Sequence, residues 1–283
     1  NQAVAGKARN NCSGLEMIRE EVIPGLLRLR GGSPPPPGWQ KPFFYLLGTE
    51  KLILIDSGYK EPNTIENIQK ILGPHTRELK AVILTHGHTD HSGGTREIKE
   101  NFHPRVIAHE LEQGIFRRRK LEGVVDQWIR DEGQIESDLG ELKIINSPGH
   151  SPGHICLYLE NEEILFTGDL VVGEGTSFVG PPDGDMSQYM ESLSRIQKLK
   201  TKIMLPGHGP VIQEPEKHLK DLIEHRELRE YQILKILSQG PSTAQDLVKL
   251  IYMGLIHPGL YQVAEITVLG LSLIHISEPT RPY

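Results

Sequence analysis

Cysteine, long apolar runs, excess positive charge and an export signal are all scarce or missing in this chain. Cys12 and Cys156 are its only cysteines in 283 residues. Two cannot make a disulfide framework, and neither belongs to a zinc-finger spacing, so a reducing cytosol is the simplest setting and a cytoplasmic location is expected. No apolar run approaches the roughly 18–20 residues that a membrane helix needs, so no membrane partner is expected. The formal charge of −6 gives no global attraction to nucleic acid, and such binding would need a local basic patch. Residues 1–16 lack the basic, apolar and small-residue regions of a secretory signal, and a more protein-like segment begins at Met17. They are expected to be a non-native or disordered extension. The stretch from Leu271 to Arg281 resembles a translated sequencing adapter, so residues 271–283 are set aside as a scar.

What is present is a composition of 37% hydrophobic and 24% charged residues, as expected of a soluble globular protein. The length suits one large α/β domain with a small appendage. It sets no oligomeric state.

The densest chemistry lies in Thr85-His-Gly-His-Thr-Asp-His-Ser-Gly-Gly94, directly after the apolar run Ala81-Val-Ile-Leu84. That run reads as a buried strand ending where the histidines begin. His86 and His88 stand at i and i+2, so in an extended segment they point the same way and can share one ion. Asp90 and His91 are adjacent and better placed for a second. Imidazole nitrogen and carboxylate oxygen are the usual zinc donors. The bland alternative is a polar loop with incidental histidines. Four donors are too few for two metals, so the metal reading requires more His and Asp downstream.

The chain supplies them. Val22–Arg30 reads as a strand, followed by a loop with four consecutive prolines, which remove the donors a ladder needs. Phe43–Leu47 and Leu52–Ile55 read as paired strands, the second ending in Asp56-Ser57-Gly58. Asp56 caps a turn, or else accepts a hydrogen bond from a metal-bound imidazole. Helices are expected over Thr64–Leu72, Thr95–Asn101 and His109–Leu121, with a strand at Val106–Ala108. The run Arg117-Arg-Arg-Lys120 reads as a solvated helix face or as a binding patch, and His103 and His109 read as ordinary surface or loop residues. Glu141–Asn146 is a strand ending in Ser-Pro-Gly-His150-Ser-Pro-Gly-His154. The strands Ile155–Leu159 and Glu163–Phe166 lead to Thr-Gly-Asp169, and Ile203-Met-Leu205 to Pro-Gly-His208. Each of His150, Asp169 and His208 follows an apolar strand. The β-α-β-α order marks a layered α/β protein.

Taken together, Asp56, His86-x-His88-x-Asp90-His91, Pro-Gly-His150, Gly-Asp169 and Gly-His208 resemble the metallo-β-lactamase-fold hydrolases over roughly residues 17–212. The resemblance implies a four-layer αββα sandwich with a dinuclear site at one edge of its sheets. It places His86, His88 and His150 on the first metal, Asp90, His91 and His208 on the second, and Asp169 between them. The implied cofactor is two Zn2+ per chain, with Mn2+ or Fe as alternatives that the donor types do not exclude. The implied chemistry is hydrolysis by a metal-bridging hydroxide, with Asp90 orienting it and accepting its proton. His154 donates to the developing oxyanion or stabilises its turn.

Among branches, an antibiotic hydrolase would be exported and would often carry cysteine in place of Asp169. Glyoxalase II, which cleaves hydroxyacyl-glutathione, shares all seven ligands, but its basic glutathione-binding region has no clear counterpart here. The segment Gly168–Thr176, the helix Glu224–Glu230 and the tail Gln232–Ile251 resemble the β-lactamase-like protein 2 branch. That branch includes endoribonucleases acting on single-stranded RNA. The expected organisation is a hydrolase domain over 17–215 and a helical, winged-helix-like domain over 216–270 that looks truncated. Expected substrates are a small-molecule ester or thioester, or single-stranded RNA. Two other classes stay open: a di-iron redox protein, and a non-catalytic nucleic-acid-binding module.

Overall fold

A computed structural model describes residues 17–31, 41–61, 64–73, 78–130 and 132–277. The expected N-terminal extension, the proline loop and the last residues of the expected scar lie outside the described residues. Among the described residues two sheets form the centre of the molecule, seven strands in the order β1 to β7 and five in the order β12-β11-β10-β9-β8.

The first sheet begins with β1 (Ile18–Ile23) and β2 (Leu26–Arg30), followed by β3 (Phe44–Leu47) and β4 (Lys51–Ile55), all antiparallel neighbours. The single strand expected over Val22–Arg30 is instead a hairpin, because Pro24-Gly25 turns the chain, with Gly25 at φ 84°. After α1 (Thr64–Leu72), β5 (Glu78–Ile83) joins β4 in parallel. One helical turn, α2 (Thr89–Ser92), and α3 (Thr95–Phe102) lead to β6 (Arg105–His109), again parallel. The helix expected over His109–Leu121 is shorter. His109 still belongs to β6, a 3-10 turn covers Glu110–Glu112, and α4 spans only Gln113–Arg118. β7 (Gln127–Ile129) closes this sheet.

The second sheet is made of β8 (Gly133–Ser137), β9 (Gly140–Asn146), β10 (Ile155–Leu159), β11 (Ile164–Gly168) and β12 (Ile203–Pro206). α5 (Met186–Ile196) crosses from β11 to β12, and α6 (Pro215–Leu237), α7 (Ala244–Tyr252) and α8 (Tyr261–Ser277) follow. α6 is one continuous helix entered through Pro215 at its first position, where the missing N–H costs nothing. Thr243 caps α7 by accepting from the Asp246 N–H at 3.2 Å. α8 runs across the boundary drawn at residue 270, and Leu271 is buried.

Period-two alternation assigns each strand face to a layer. Tyr45 and Leu47 point between the sheets with Ile53, Ile83, Leu157 and Phe166. Phe44 and Leu46 point outward onto Ile68, Ile98 and Phe116 of α1, α3 and α4. On the other side, Cys156, Tyr158 and Leu165 meet Tyr189 and Leu193 of α5 and Leu219 and Leu222 of α6. The layers are therefore helix, sheet, sheet, helix: the αββα sandwich. Strands buried on both faces read as continuous apolar runs, which is why they stand out in the sequence without alternation.

Candidate metal centre

β4, β5, β9, β11 and β12 all end at one rim, and each delivers polar side chains there. A backbone bond from Ile155 N–H to the Thr85 carbonyl, 2.9 Å, joins the two sheets at that rim. Phe43 N–H and Tyr45 Oη donate to the Gly207 and Pro206 carbonyls, at 2.6 Å each, and fix the loop that carries His208. Gly207 is required there, since a Cβ would lie 2.5 Å from His91 Cε1 and 2.6 Å from Asp169 Oδ1.

The expected ligands converge on two groups, His86–His88–His150 and Asp90–His91–Asp169–His208, with the donor atoms of each within 4.8 Å of one another. Asp169 lies between them. Its Oδ1 is 3.2 Å from His91 Nε2, while its Oδ2 is 3.5 Å from His208 Nε2 and 3.7 Å from His150 Nε2. Asp90 Oδ2 is 3.2 Å from His208 Nε2.

The donor set fits a metal. His86 Nε2 is buried without a hydrogen-bond partner among the described residues, and the buried His91 Nε2 and Asp169 Oδ1 face each other at 3.2 Å without an aligned hydrogen bond. Such atoms cost free energy unless something binds them. His88 Nδ1 and His150 Nε2 lie 2.9 Å apart, and two ring nitrogens that close need a proton or a cation between them.

The far nitrogen of four of the five imidazoles is held. His86 Nδ1 meets Thr85 Oγ1 at 3.0 Å, His91 Nδ1 meets Asp56 Oδ2 at 2.7 Å, and His150 Nδ1 donates to the Phe178 carbonyl at 2.7 Å. His88 Nε2 faces Asp183 Oδ2 at 3.4 Å. Partners of this kind fix ring orientation and tautomer. Asp56 also accepts from Thr85 N–H at 2.7 Å and sits at φ 61°, so it does more than cap its own turn.

Burial pushes the pKa of His86 well below the usual imidazole value and that of His150 down to about 4, keeping both rings neutral. For His91 burial works the same way, but Asp169, Asp56 and Asp90 outweigh it and raise the pKa. His208 is raised against burial by Asp169 and Asp90. Burial opposes ionisation of Asp169, and the charges of His208 and His91 nonetheless hold it well below the carboxylate range.

Several features depart from the sequence expectations or were absent from them. His154 is fully buried, with Nδ1 against Ser147 Oγ at 2.9 Å and Nε2 accepting the Asp169 N–H at 3.1 Å. With both nitrogens engaged in this way, the arrangement matches the turn-stabilising alternative rather than donation to a substrate. His109 is not a surface residue: it is buried and donates from Nε2 to the Arg130 carbonyl at 3.0 Å. Glu112 had no sequence signal. Fully buried, it accepts from Gly87 N–H, Ser151 Oγ and Gly153 N–H, all at 2.7 Å, and so ties the His86–His88 loop to the His150 loop. Asp183, also missed, joins His88 to the exposed Arg118.

Comparison with known proteins follows the same lines. The family model described as Metallo-beta-lactamase superfamily matches residues 37–208. The chain is 34% identical to the Beta-lactamase-like protein 2 homolog of Caenorhabditis elegans, covering 82% of this chain and 78% of that protein. It is 31% identical to the homolog of the same name in Drosophila melanogaster, over 80% of each. It is also 31% identical to the Atrochrysone carboxyl ACP thioesterase of Aspergillus fumigatus, over 82% of this chain and 74% of that one. A metallo-beta-lactamase family protein from Thermus thermophilus shares the fold, with a TM-score of 0.75 at 23% identity over 92% of this chain and 95% of that one.

Proposed function

Since the chain belongs to the metallo-β-lactamase superfamily and is a metal-dependent hydrolase, we propose that it is a dinuclear zinc enzyme that cleaves an ester or thioester. The observation that carries this reading is the Asp169 carboxylate standing between two donor clusters. His86, His88 and His150 would hold one ion, Asp90, His91 and His208 the other, and Asp169 both. Bound there, two divalent cations supply a Lewis acid that lowers the pKa of water toward neutrality and offsets charge developing on a carbonyl oxygen.

The protein's own contribution is placement. Asp56, Thr85 and the Phe178 carbonyl aim the rings, and His154 holds Asp169 through its backbone N–H. Burial disfavours a charged Asp90, but His91 and His208 hold its pKa below the ordinary value, so it stays a carboxylate, able to orient a nucleophilic water and take up its proton. His154 is a positioning residue.

The thioester assignment leans on the fungal thioesterase relative. A second reading, phosphodiester cleavage in single-stranded RNA, draws on one feature. Arg118, with 55% of its side chain exposed, is paired with Asp183 beside His88, so the basic run Arg117–Lys120 lies at the rim of the centre. We keep 17–215 as the hydrolase domain and 216–270 as a helical appendage of winged-helix type, and we assign the protein to the cytoplasm.

The test is metal analysis combined with parallel assays on an acyl thioester, S-lactoylglutathione and labelled single-stranded RNA. About two zinc per chain and chelator-sensitive thioester hydrolysis are expected. RNA cleavage alone would select the second reading. A zinc-free protein, or one hydrolysing none of the three, would overturn the proposal.

A further inference from the structure

The largest fully buried side chain is an arginine on the C-terminal helices. Arg226, on α6, is 2% exposed. Its guanidinium lies 5.2 Å from the centroid of the Tyr189 ring, and its Nη2 donates to the Ser177 carbonyl. Its Nε has no hydrogen-bond partner among the described residues. Removing a guanidinium from water costs several kcal/mol, which the Tyr189 ring face and the Ser177 carbonyl help to offset. A leucine or methionine would anchor α6 to the sheet at lower cost. The reason for an arginine therefore lies in what it touches.

Ser177 and Phe178 form a two-residue bridge to the metal centre. Ser177 Oγ donates to the Leu170 carbonyl at 3.0 Å, one residue beyond Asp169. The Phe178 carbonyl accepts from His150 Nδ1 at 2.7 Å, which leaves Nε2 of that ring as the donor atom facing His88. The residue whose ring lies beneath the guanidinium reaches the same loop through its backbone. Gly149, at φ 134°, packs so closely on Tyr189 that a Cβ would lie 2.3 Å from its Cα. Arg226 thus bonds the Ser177 carbonyl, one residue before the Phe178 carbonyl that meets the His150 ring, and lies over the tyrosine behind that ring's turn. The rings of the other cluster are aimed from elsewhere, His91 by Asp56 on the β4 loop.

We propose that Arg226 is a positioning residue for the His86–His88–His150 half of the metal centre, through which the C-terminal helices set the orientation of His150. This rests on the reading above that His150 holds a metal. Arg226→Met and Arg226→Lys test it in the full chain, by zinc titration against a chromophoric chelator that resolves two binding constants. Thermal denaturation and the ring N–H resonances of the histidines in the metal-free protein accompany the titration.

In Arg226→Met one zinc constant weakens about 10- to 100-fold, the scale seen when a partner orienting a ligand is lost, while the other changes little. The His150 Nδ1–H signal broadens or disappears, and Arg226→Lys is intermediate. A folded Arg226→Met with both constants and that signal unchanged overturns the proposal, as does equal weakening of both constants, which would mean general loosening. If Arg226→Met does not fold, Arg226→Lys decides by the same selective weakening or its absence. A parent protein that fails to bind two zinc ions overturns the dinuclear reading and this inference together, whereas a parent that binds two beside an unaltered variant overturns this inference alone.

Discussion

Asp56 Oδ2 lies 2.7 Å from His91 Nδ1, and both side chains are buried. The carboxylate also takes the Thr85 N–H and hydroxyl, so one residue on the β4 loop aims His91 and anchors the start of the β5 loop. Asp56→Asn keeps the volume but turns one oxygen into a donor and removes the charge. Zinc affinity at the Asp90–His91–His208 group is expected to fall about 10- to 100-fold, measured by competition with a chromophoric chelator. Unchanged affinity would show that the pair orients nothing.

Asp169 has the most demanding position, within 3.7 Å of ring nitrogens from both clusters. Asp169→Ala should reduce bound zinc from about two per chain to one or fewer and cut hydrolysis by at least about 10²-fold, with far-ultraviolet circular dichroism retained. Elemental analysis beside a rate measurement separates this outcome from unfolding. Full activity with metal still bound would rule out a bridging role.

Glu112 accepts three bonds from two loops with both of its oxygens. In Glu112→Gln an amide NH2 must face either the Gly87 N–H or the Ser151 and Gly153 donors. Leaving buried donors unpaired costs roughly 1–3 kcal/mol each, so a loss of about 2–4 kcal/mol is expected in denaturant unfolding. Weaker zinc binding should accompany it, because both loops carry donor histidines.

Asp138 gives a pH signature away from the centre. Its Oδ2 accepts the N–H groups of Thr49, Glu50 and Lys51 at 3.0, 2.8 and 2.9 Å, clamping the β3–β4 turn to the β8–β9 turn. Those bonds lower its pKa from 3.8 to about 2, with the Glu50 and Lys51 bonds the largest causes. For a lowered carboxyl the stabilisation is complete above the unfolded value near 3.8 and disappears as pH falls through about 2. The site is exposed, so Asp138→Ala should cost only about 1 kcal/mol at pH 7. The difference in midpoint between parent and variant should close between pH 4 and pH 2. A difference that persists at pH 2 would mean the effect is not electrostatic.

The seven candidate donors that the structure brings together stand out in the sequence because each follows an apolar strand and sits in a short Gly- or Pro-bearing turn, a local pattern. Of the groups that aim those donors, Asp56 was anticipated and Thr85 adjoins His86, but the others are single residues far away in sequence. Glu112 acts across 25 residues on Gly87 and 41 on Gly153, Asp183 across 95 on His88, and Phe178 through a carbonyl that no side-chain pattern reveals. The missed strands have a different cause. β7 is three half-buried residues, and β8 is mostly polar and exposed, so neither carries an apolar run. α5 did carry a signal, Asp185 capping the Gln188 N–H at 3.0 Å, but its stretch had no assignment. His109 misled, and the choice for His154 stayed open, because a histidine's type says nothing about whether its nitrogens are already taken.

The backbone bond from Ile155 to the Thr85 carbonyl has a wider consequence. It stitches two separate ladders into one fabric at the place where the loops with the candidate donors emerge, so sliding one sheet against its neighbour would act on the spacing of His86 and His150. Metal affinity would then serve as a gauge of sandwich alignment, reporting sub-ångström shear that spectroscopy of the tightly packed interior would overlook.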